Sequence, residues 1–192
     1  MQKVETSVDV PAEAPERRVR RIVDESYDFL WRSLRRLGVP AASVEDAAQQ
    51  VLVVLVRRLD EVARDAERGF LFGVAVRVAA DLRRSVRRRR EDPTDGILDA
   101  VAHDGPSPEE VASARSSRRV LDQALEAMSL DQRTVFILYE LEELSMAEVA
   151  KMIGIPPGTT ASRLRRAREI FDEAVKGARA DEVAWEERRG AP

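Results

Sequence analysis

Apolar positions recur along this chain at spacings of three and four, the period of an amphipathic helix, and the clearest case is the segment 144–168. Ser145 followed three residues later by Glu148 is a capping-box signature. Val149, Met152 and Ile153 form an apolar stripe, and Gly154 stands where a left-handed cap is needed. Pro156 and Pro157 forbid continuation of that helix, and a second one opens at about Pro157 with Leu164, Ala167 and Phe171 on its inner face. Its first turns then show solvent Thr159, Ala161, Ser162, Arg163 and Arg166. Short polar groups followed by arginines are how a helix that reads the major groove is commonly built. A plain αα-hairpin with a solvated arginine face has the same period, so spacing alone leaves both readings open.

Upstream the same period continues. A helix is predicted from about Arg17 to Leu37, with Ile22, Tyr27, Leu30, Trp31 and Leu34 on one side; Gly38 and Pro40 end it. Ser43 with Asp46 predicts a second cap. The run VLVVLV at 51–56 would pass for a buried strand. Its flanks keep Ala48, Val51, Leu52, Leu55 and Leu59 in helical register, so a helix is expected. Because Val53, Val54 and Val56 make that helix apolar nearly all round, either it is wrapped or one face awaits a partner. Residues 60–68 are polar and break the pattern, predicting a loop. Phe70, Leu71, Val74, Ala75, Val78, Leu82 and Val86 then mark a long helix ending in six arginines at Arg83, Arg84 and Arg87–Arg90. Cations complement a helix C-terminus, but six exceed what a dipole needs, which favours phosphate binding. The segment 91–108, with Asp92-Pro93, Gly96 and Asp104-Gly105-Pro106, reads as a linker. Ser107 with Glu110 and Ser129 with Gln132 start two further helices, carrying Val120, Leu121, Leu125 and Met128, then Val135, Phe136, Leu138 and Tyr139.

The organisation predicted is all-α: two small helical domains joined by a flexible acidic linker. A disordered tail covers 1–16, a first domain 17–91, the linker 92–107, a helix-turn-helix domain 108–177, and a charged tail 178–192.

Charge sharpens this division. The net charge of −3 argues against a nucleic-acid partner until it is divided: 17–90 holds 18 arginines against ten acids, whereas 91–115 holds seven acids against one arginine. One part of the chain is therefore suited to a polyanion. The cations are 29 arginines and three lysines, which either favours bidentate reading of bases and phosphates or reflects a GC-rich genome. The absence of cysteine excludes disulfides, thiolate metal sites and cysteine nucleophiles. The single histidine, His103, lies in the linker and has no second histidine to share a metal. No glycine-rich phosphate loop, triad or metal spacing occurs, and the pairs Glu142-Glu143 and Glu186-Glu187 read as solvated surface. The expectation is a non-enzyme without cofactor or metal. With no signal core and no apolar run beyond 51–56, the expected location is the cytoplasm, without membrane insertion.

The stretch LDQALEAMSLDQRTVFILYELEELSMAEVAKMIGIPPGTTASRLRRARE closely resembles region 4 of bacterial sigma factors of the extracytoplasmic-function (ECF) type in the sigma-70 family. EDAAQQVLVVLVRRL and FLFGVAVRVAADLRRSVRRR resemble region 2, and together the two cover roughly three quarters of the chain. The resemblance implies a sigma factor that binds core RNA polymerase and directs promoter recognition, DNA melting and transcription initiation. Asp46, Gln49 and Gln50 would contact the β′ clamp helices, and the C-terminal domain would meet the β flap. Arg77, Arg83, Arg84 and Arg87 would hold the −10 element, while loop 60–68 captures a flipped base. Thr159, Thr160, Ala161, Ser162, Arg163 and Arg166 would read the −35 element. An anti-sigma factor is a further partner that the resemblance admits.

Departures from the family pattern bear on specificity. Gln50 replaces a usual acid, Phe70 a tryptophan, Gly73 an arginine and Arg77 an asparagine; Leu130, Thr160 and Ala161 depart likewise in region 4. A glycine inside a helix costs about 1 kcal/mol relative to alanine, so Gly73 is expected to serve close packing. A stand-alone helix-turn-helix regulator and a module that sequesters a polymerase subunit are the competing functions. A dimer on a palindromic site would mark the regulator.

Overall fold

The computed structural model describes residues 14–91 and 108–190; the side chains of 86–91, 108–116 and 181–190 lie outside that description. Of the tail expected at 1–16, residues 1–13 lie outside it, while Pro15 and Glu16 are part of the first helix; the linker at 92–107, with His103, also lies outside it. Every regular element among the described residues is helical.

Three helices build the first unit. Helix α1 (Pro15–Arg36) starts with proline at a position where its missing N–H costs nothing, and buries Ile22, Phe29, Leu30, Ser33 and Leu34 along one stripe. The inward aromatic is Phe29 rather than the expected Tyr27, which faces solvent at 37% exposure. Gly38, at φ +95°, turns the chain, and the Val39 amide donates back to the Leu34 carbonyl at 3.0 Å. Helix α2 (Val44–Arg57) is the run that could have been a strand. Its Ala47, Ala48, Val51 and Leu55 are buried, and its core-facing alanines let α1 and α3 come close. The cap expected at Ser43 is not made: the chain enters α2 through a 3₁₀ turn (Ala41–Ser43), and the Ser43 side chain accepts no amide.

The polar stretch 60–68 is more ordered than its composition suggests. It forms two 3₁₀ turns, Leu59–Glu61 and Arg64–Ala66, and α3 (Glu67–Glu91) begins inside it. Glu67 explains the order. It is buried at the positive end of α3 and takes Arg18 Nε at 2.7 Å and Arg21 Nη2 at 2.9 Å, while Arg18 also donates to the Leu59 and Val62 carbonyls. Sequence reading missed Glu67 because a lone acid in a polar stretch carries no periodic signal. Leu71, Phe72, Val74, Ala75 and Ala79 of α3 complete the core, with Phe72 tilted against Phe29 at 5.9 Å between ring centres.

The second unit contains α4 (Pro108–Ala127), α5 (Leu130–Phe136), α6 (Met146–Ile153) and α7 (Pro157–Gly190). A π turn over Ile137–Leu141 extends α5, and Glu143 takes a left-handed conformation at φ 55°. Helix α7 runs continuously through the segment expected to be a separate tail, since nothing from 178 to 190 breaks a helix. Ala124, Leu125, Met128, Val135, Phe136, Leu138, Val149, Leu164 and Ala167 form the core, with Phe136 against Phe171 at 5.4 Å.

The units meet. Helix α6 packs on α3, where a Cβ added at Gly69 would stand 3.3 Å from Met152 Cγ. Glu142 reaches Arg36 Nη1 at 2.6 Å and Arg68 Nη2 at 3.0 Å, and its side chain is only 6% exposed. The solvated role expected for Glu142 is thereby corrected: it is the acid that joins the two units.

Close packing is not the reason for Gly73, because a Cβ there would meet no atom within 4 Å. Gly73→Ala is therefore expected to stabilise the chain by about 0.5–1 kcal/mol, read from the urea midpoint.

Candidate nucleic-acid interface

The α6–turn–α7 motif is held by local hydrogen bonds that its sequence specifies. Ser145 N donates to Glu148 Oε2 at 2.8 Å and Glu148 N donates back to Ser145 Oγ at 3.3 Å, closing the capping box. The two bonds from Ser145, hydroxyl first and backbone second, hold the Glu148 carboxyl below the usual glutamate range. Gly154 caps α6 at φ 69°, and the amides of Gly154 and Ile155 both donate to the Ala150 carbonyl. Pro156 then supplies the carbonyl that opens α7, accepting from both N and Oγ1 of Thr160.

That last bond moves Thr160 out of the reading set. Thr160 is fully buried, so the expectation that it faces DNA is not met in this conformation. Ala161 and Arg166 are exposed, while Thr159, Ser162 and Arg163 are half-exposed. Arg163 pairs with Asp131 at 2.5 Å, but both groups are partly solvated, and such pairs contribute about 0.2–1 kcal/mol. A bidentate base contact is worth about 1–3 kcal/mol, so this ion pair does not withhold Arg163 from DNA. Arg166 has no ion-pair partner among the described residues. Arg165, which the sequence reading passed over, is exposed one position before it.

The other predicted residues lie on two further helices. Asp46, Gln49 and Gln50 are exposed on α2, and Val53 and Val56 continue that surface at 47% and 55% exposure. The surplus apolar surface read from VLVVLV is therefore real and unwrapped. On α3, Arg77 and Arg84 are seven residues apart, hence on one face, and both are exposed. Arg84 pairs with Asp81. Arg83 turns away from that face into the junction between the units, where its Nη1 is buried. The side chain of Arg87 falls outside the described residues. No group of three or more His, Cys, Asp or Glu able to hold a metal occurs among the described residues, and no helix there is long and apolar enough to cross a membrane.

The family model for sigma-70, region 4, matches residues 118–170, which span α4 to the middle of α7. The chain is 32% identical over 152 residues to the ECF RNA polymerase sigma factor SigL of Mycobacterium tuberculosis (strain ATCC 35801 / TMC 107 / Erdman), covering 78% of this chain and 84% of that one. The chain belongs to the ECF RNA polymerase sigma factors. It is also similar to the ECF sigma-E factor of Escherichia coli (strain K12), at 29% identity over 161 residues, covering 78% of this chain and 83% of that one. Among solved structures it shares its fold with CnrH in complex with the cytosolic domain of CnrY, at TM-score 0.63 and 20% identity, covering 84% of this chain and 90% of that one. It shares it too with the sigma factor RpoE in complex with the anti-sigma factor NepR from Bartonella quintana, at TM-score 0.64 and 22% identity, covering 82% and 96%.

The protein is thus an RNA polymerase sigma factor acting in transcription initiation. A stand-alone regulator is not favoured, because the relatives match across both units.

Two measurements check the local physics of this sigma factor. Glu148 contributes stability that is present above the ordinary glutamate value of about 4.5 and is lost as pH falls through its lowered folded-state value. Ser145→Ala should lower the melting midpoint by a few degrees at neutral pH, with the gap from wild type closing as pH drops below that value. Glu142→Gln should cost about 1–3 kcal/mol in urea unfolding, since it weakens a buried charged acceptor. A double-mutant cycle with Arg36→Ala should return a coupling of about 1 kcal/mol.

Proposed function

We propose that each unit of this sigma factor presents one working surface to the transcription machinery, divided near the segment 92–107. In the first unit, Asp46, Gln49 and Gln50 on α2, flanked by exposed Val53 and Val56, dock on the β′ clamp helices of core polymerase. Such a face suits a stable protein interface: polar groups fix register, and two exposed valines add apolar area to bury. Arg77 and Arg84 on α3 hold phosphates of the non-template strand at the −10 element, and Arg87 extends that row. In the second unit, which also meets the β flap, α7 enters the major groove at the −35 element. Thr159, Ala161 and Ser162 lie close to base edges there, and Arg163 and Arg166 reach bases and phosphates.

The observation that carries this reading is α7 itself. Its opening turns are fixed by Pro156, Gly154 and the Ser145 cap, and they end in an exposed arginine with no competing acid. Thr160 is left out of the reading set because its hydroxyl is committed to Pro156.

The protein performs no covalent chemistry of its own, needs no cofactor, and works in the cytoplasm, where core polymerase is. An anti-sigma protein holds it inactive. Support for that last element is the pair of solved relatives, whose titles describe complexes with the CnrY cytosolic domain and with the anti-sigma factor NepR.

Run-off transcription with core polymerase on promoter fragments tests the division of labour. Arg166→Ala should lower −35-dependent initiation by roughly ten-fold, the loss of about 1–2 kcal/mol, with affinity for core polymerase unchanged. Asp46→Arg should do the reverse, weakening core binding in a pull-down or fluorescence titration. Loss of core binding by Arg166→Ala, or none by Asp46→Arg, would overturn the assignment.

A further inference from the structure

The junction between the units contains a cleft of about 820 Å³, lined by segments of α1, α3, α4 and α5. Five of its lining residues are arginines, and the acids lining it among the described residues are Asp122 and Glu126, both exposed. Arg133, from α5, is the most buried of them at 2% exposure, and its Nε and Nη2 have no hydrogen-bond partner among the described residues. Arg83, from α3, buries its Nη1 in the same condition. Gly38 makes room for this arrangement: a Cβ there would lie 2.6 Å from Arg133 Nη1. The backbone is thus shaped around the guanidinium.

A buried cation beside a half-buried one is an unfavourable pair. Burial first, and the charge of Arg83 second, lower the pKa of Arg133 to about 10, only partly offset by Glu126 and Asp122. The idle nitrogens each expose less than 1 Å², so an occupant engages them only as the two side chains turn toward the cleft, and water drawn there brings no charge to separate the two cations. An oxyanion supplies both acceptors and charge, and guanidinium forks match phosphate oxygens in pairs. The volume lies in the range of small-molecule sites and exceeds the need of a single ion.

We propose that this cleft binds a phosphate-bearing small molecule, a phosphoryl group resting between Arg133 and Arg83 with the remainder toward Arg35 and Arg36. Each of the last two already spends one nitrogen, on the Val39 carbonyl and on Glu142, and so stands pre-oriented at the cleft wall. Because Arg83 and Arg133 come from different units, the occupant ties the units together. Helix α7 does not line the cleft, so the site is separate from the proposed −35 surface.

The test is calorimetric titration of the full-length protein with pyrophosphate at constant ionic strength, alongside thermal melts. Saturable binding of one pyrophosphate per chain, with a rise in melting midpoint, is expected. Arg133→Met should weaken binding at least about ten-fold. The same variant should leave the unliganded protein as stable as wild type or more so, since a buried charge that Glu126 and Asp122 only partly compensate has been removed. Arg83→Gln, at a half-buried helix position, provides a second variant with the same expected loss. Arg163→Ala should bind as wild type does. The proposal is overturned if the folded wild-type protein shows no saturable binding at millimolar pyrophosphate, or if Arg163→Ala loses as much as Arg133→Met. Equal binding of acetate would also overturn it, and would assign the cleft to a carboxylate side chain of a protein partner instead.

Discussion

Glu142 is one carboxylate at the end of a π turn, and the association of the two units depends on it. The turn inserts an extra residue after α5, and the left-handed Glu143 behind it sends the chain back toward α6. That geometry leaves Glu142 aimed across the junction at Arg36 and Arg68, with Arg32 at 3.9 Å. Arg68 also stacks over Phe29 at 4.0 Å, which couples the ion pair to the core of the first unit. A carboxylate so enclosed is costly to leave unpaired, so the contact makes the junction specific as well as attractive.

The same chain manages arginine in three ways. On α7 it leaves a cation exposed where a polyanion can reach it. Around Glu67 it uses Arg18 and Arg21 to fasten a polar stretch to α1. At the junction it buries Arg133 beside Arg83, with Glu126 and Asp122 offsetting their repulsion only in part. The net charge conceals all three, because it sums over the whole chain.

What the sequence made legible follows from the range of each interaction. Helix period, the caps at Ser129 and Ser145, the Gly154 stop and the Pro157 start are all decided within four or five residues, and each is found as read. The exposed valines of α2 were visible as surplus apolar surface for the same reason. Long-range partnerships were not visible: Glu67 with Arg18 spans 49 residues and Glu142 with Arg36 spans 106. Thr160 entered the reading set only through the family resemblance; the helical period had not placed it among the outward residues, and its buried hydroxyl turns to the Pro156 carbonyl. The Ser43 cap failed where a 3₁₀ turn usurped the helix start, an outcome that residue type at position 43 does not encode.

Gly69 carries a further consequence. Its missing side chain lets Met152 of α6 lie against the start of α3, and Lys151 pairs with Asp65 beside it. The backbone on one side of this contact belongs to the stretch that resembles a −10 reader, and the helix on the other packs against α7, the helix proposed to read the −35 element. A methyl group at position 69 would be absorbed by the flexible methionine, but a branched or aromatic side chain would not. Such a residue would act as an uncharged steric wedge between α3 and α6, loosening their contact without altering any residue of α7. The approach of α6 to α3 is thus set in part by an atom that is not there.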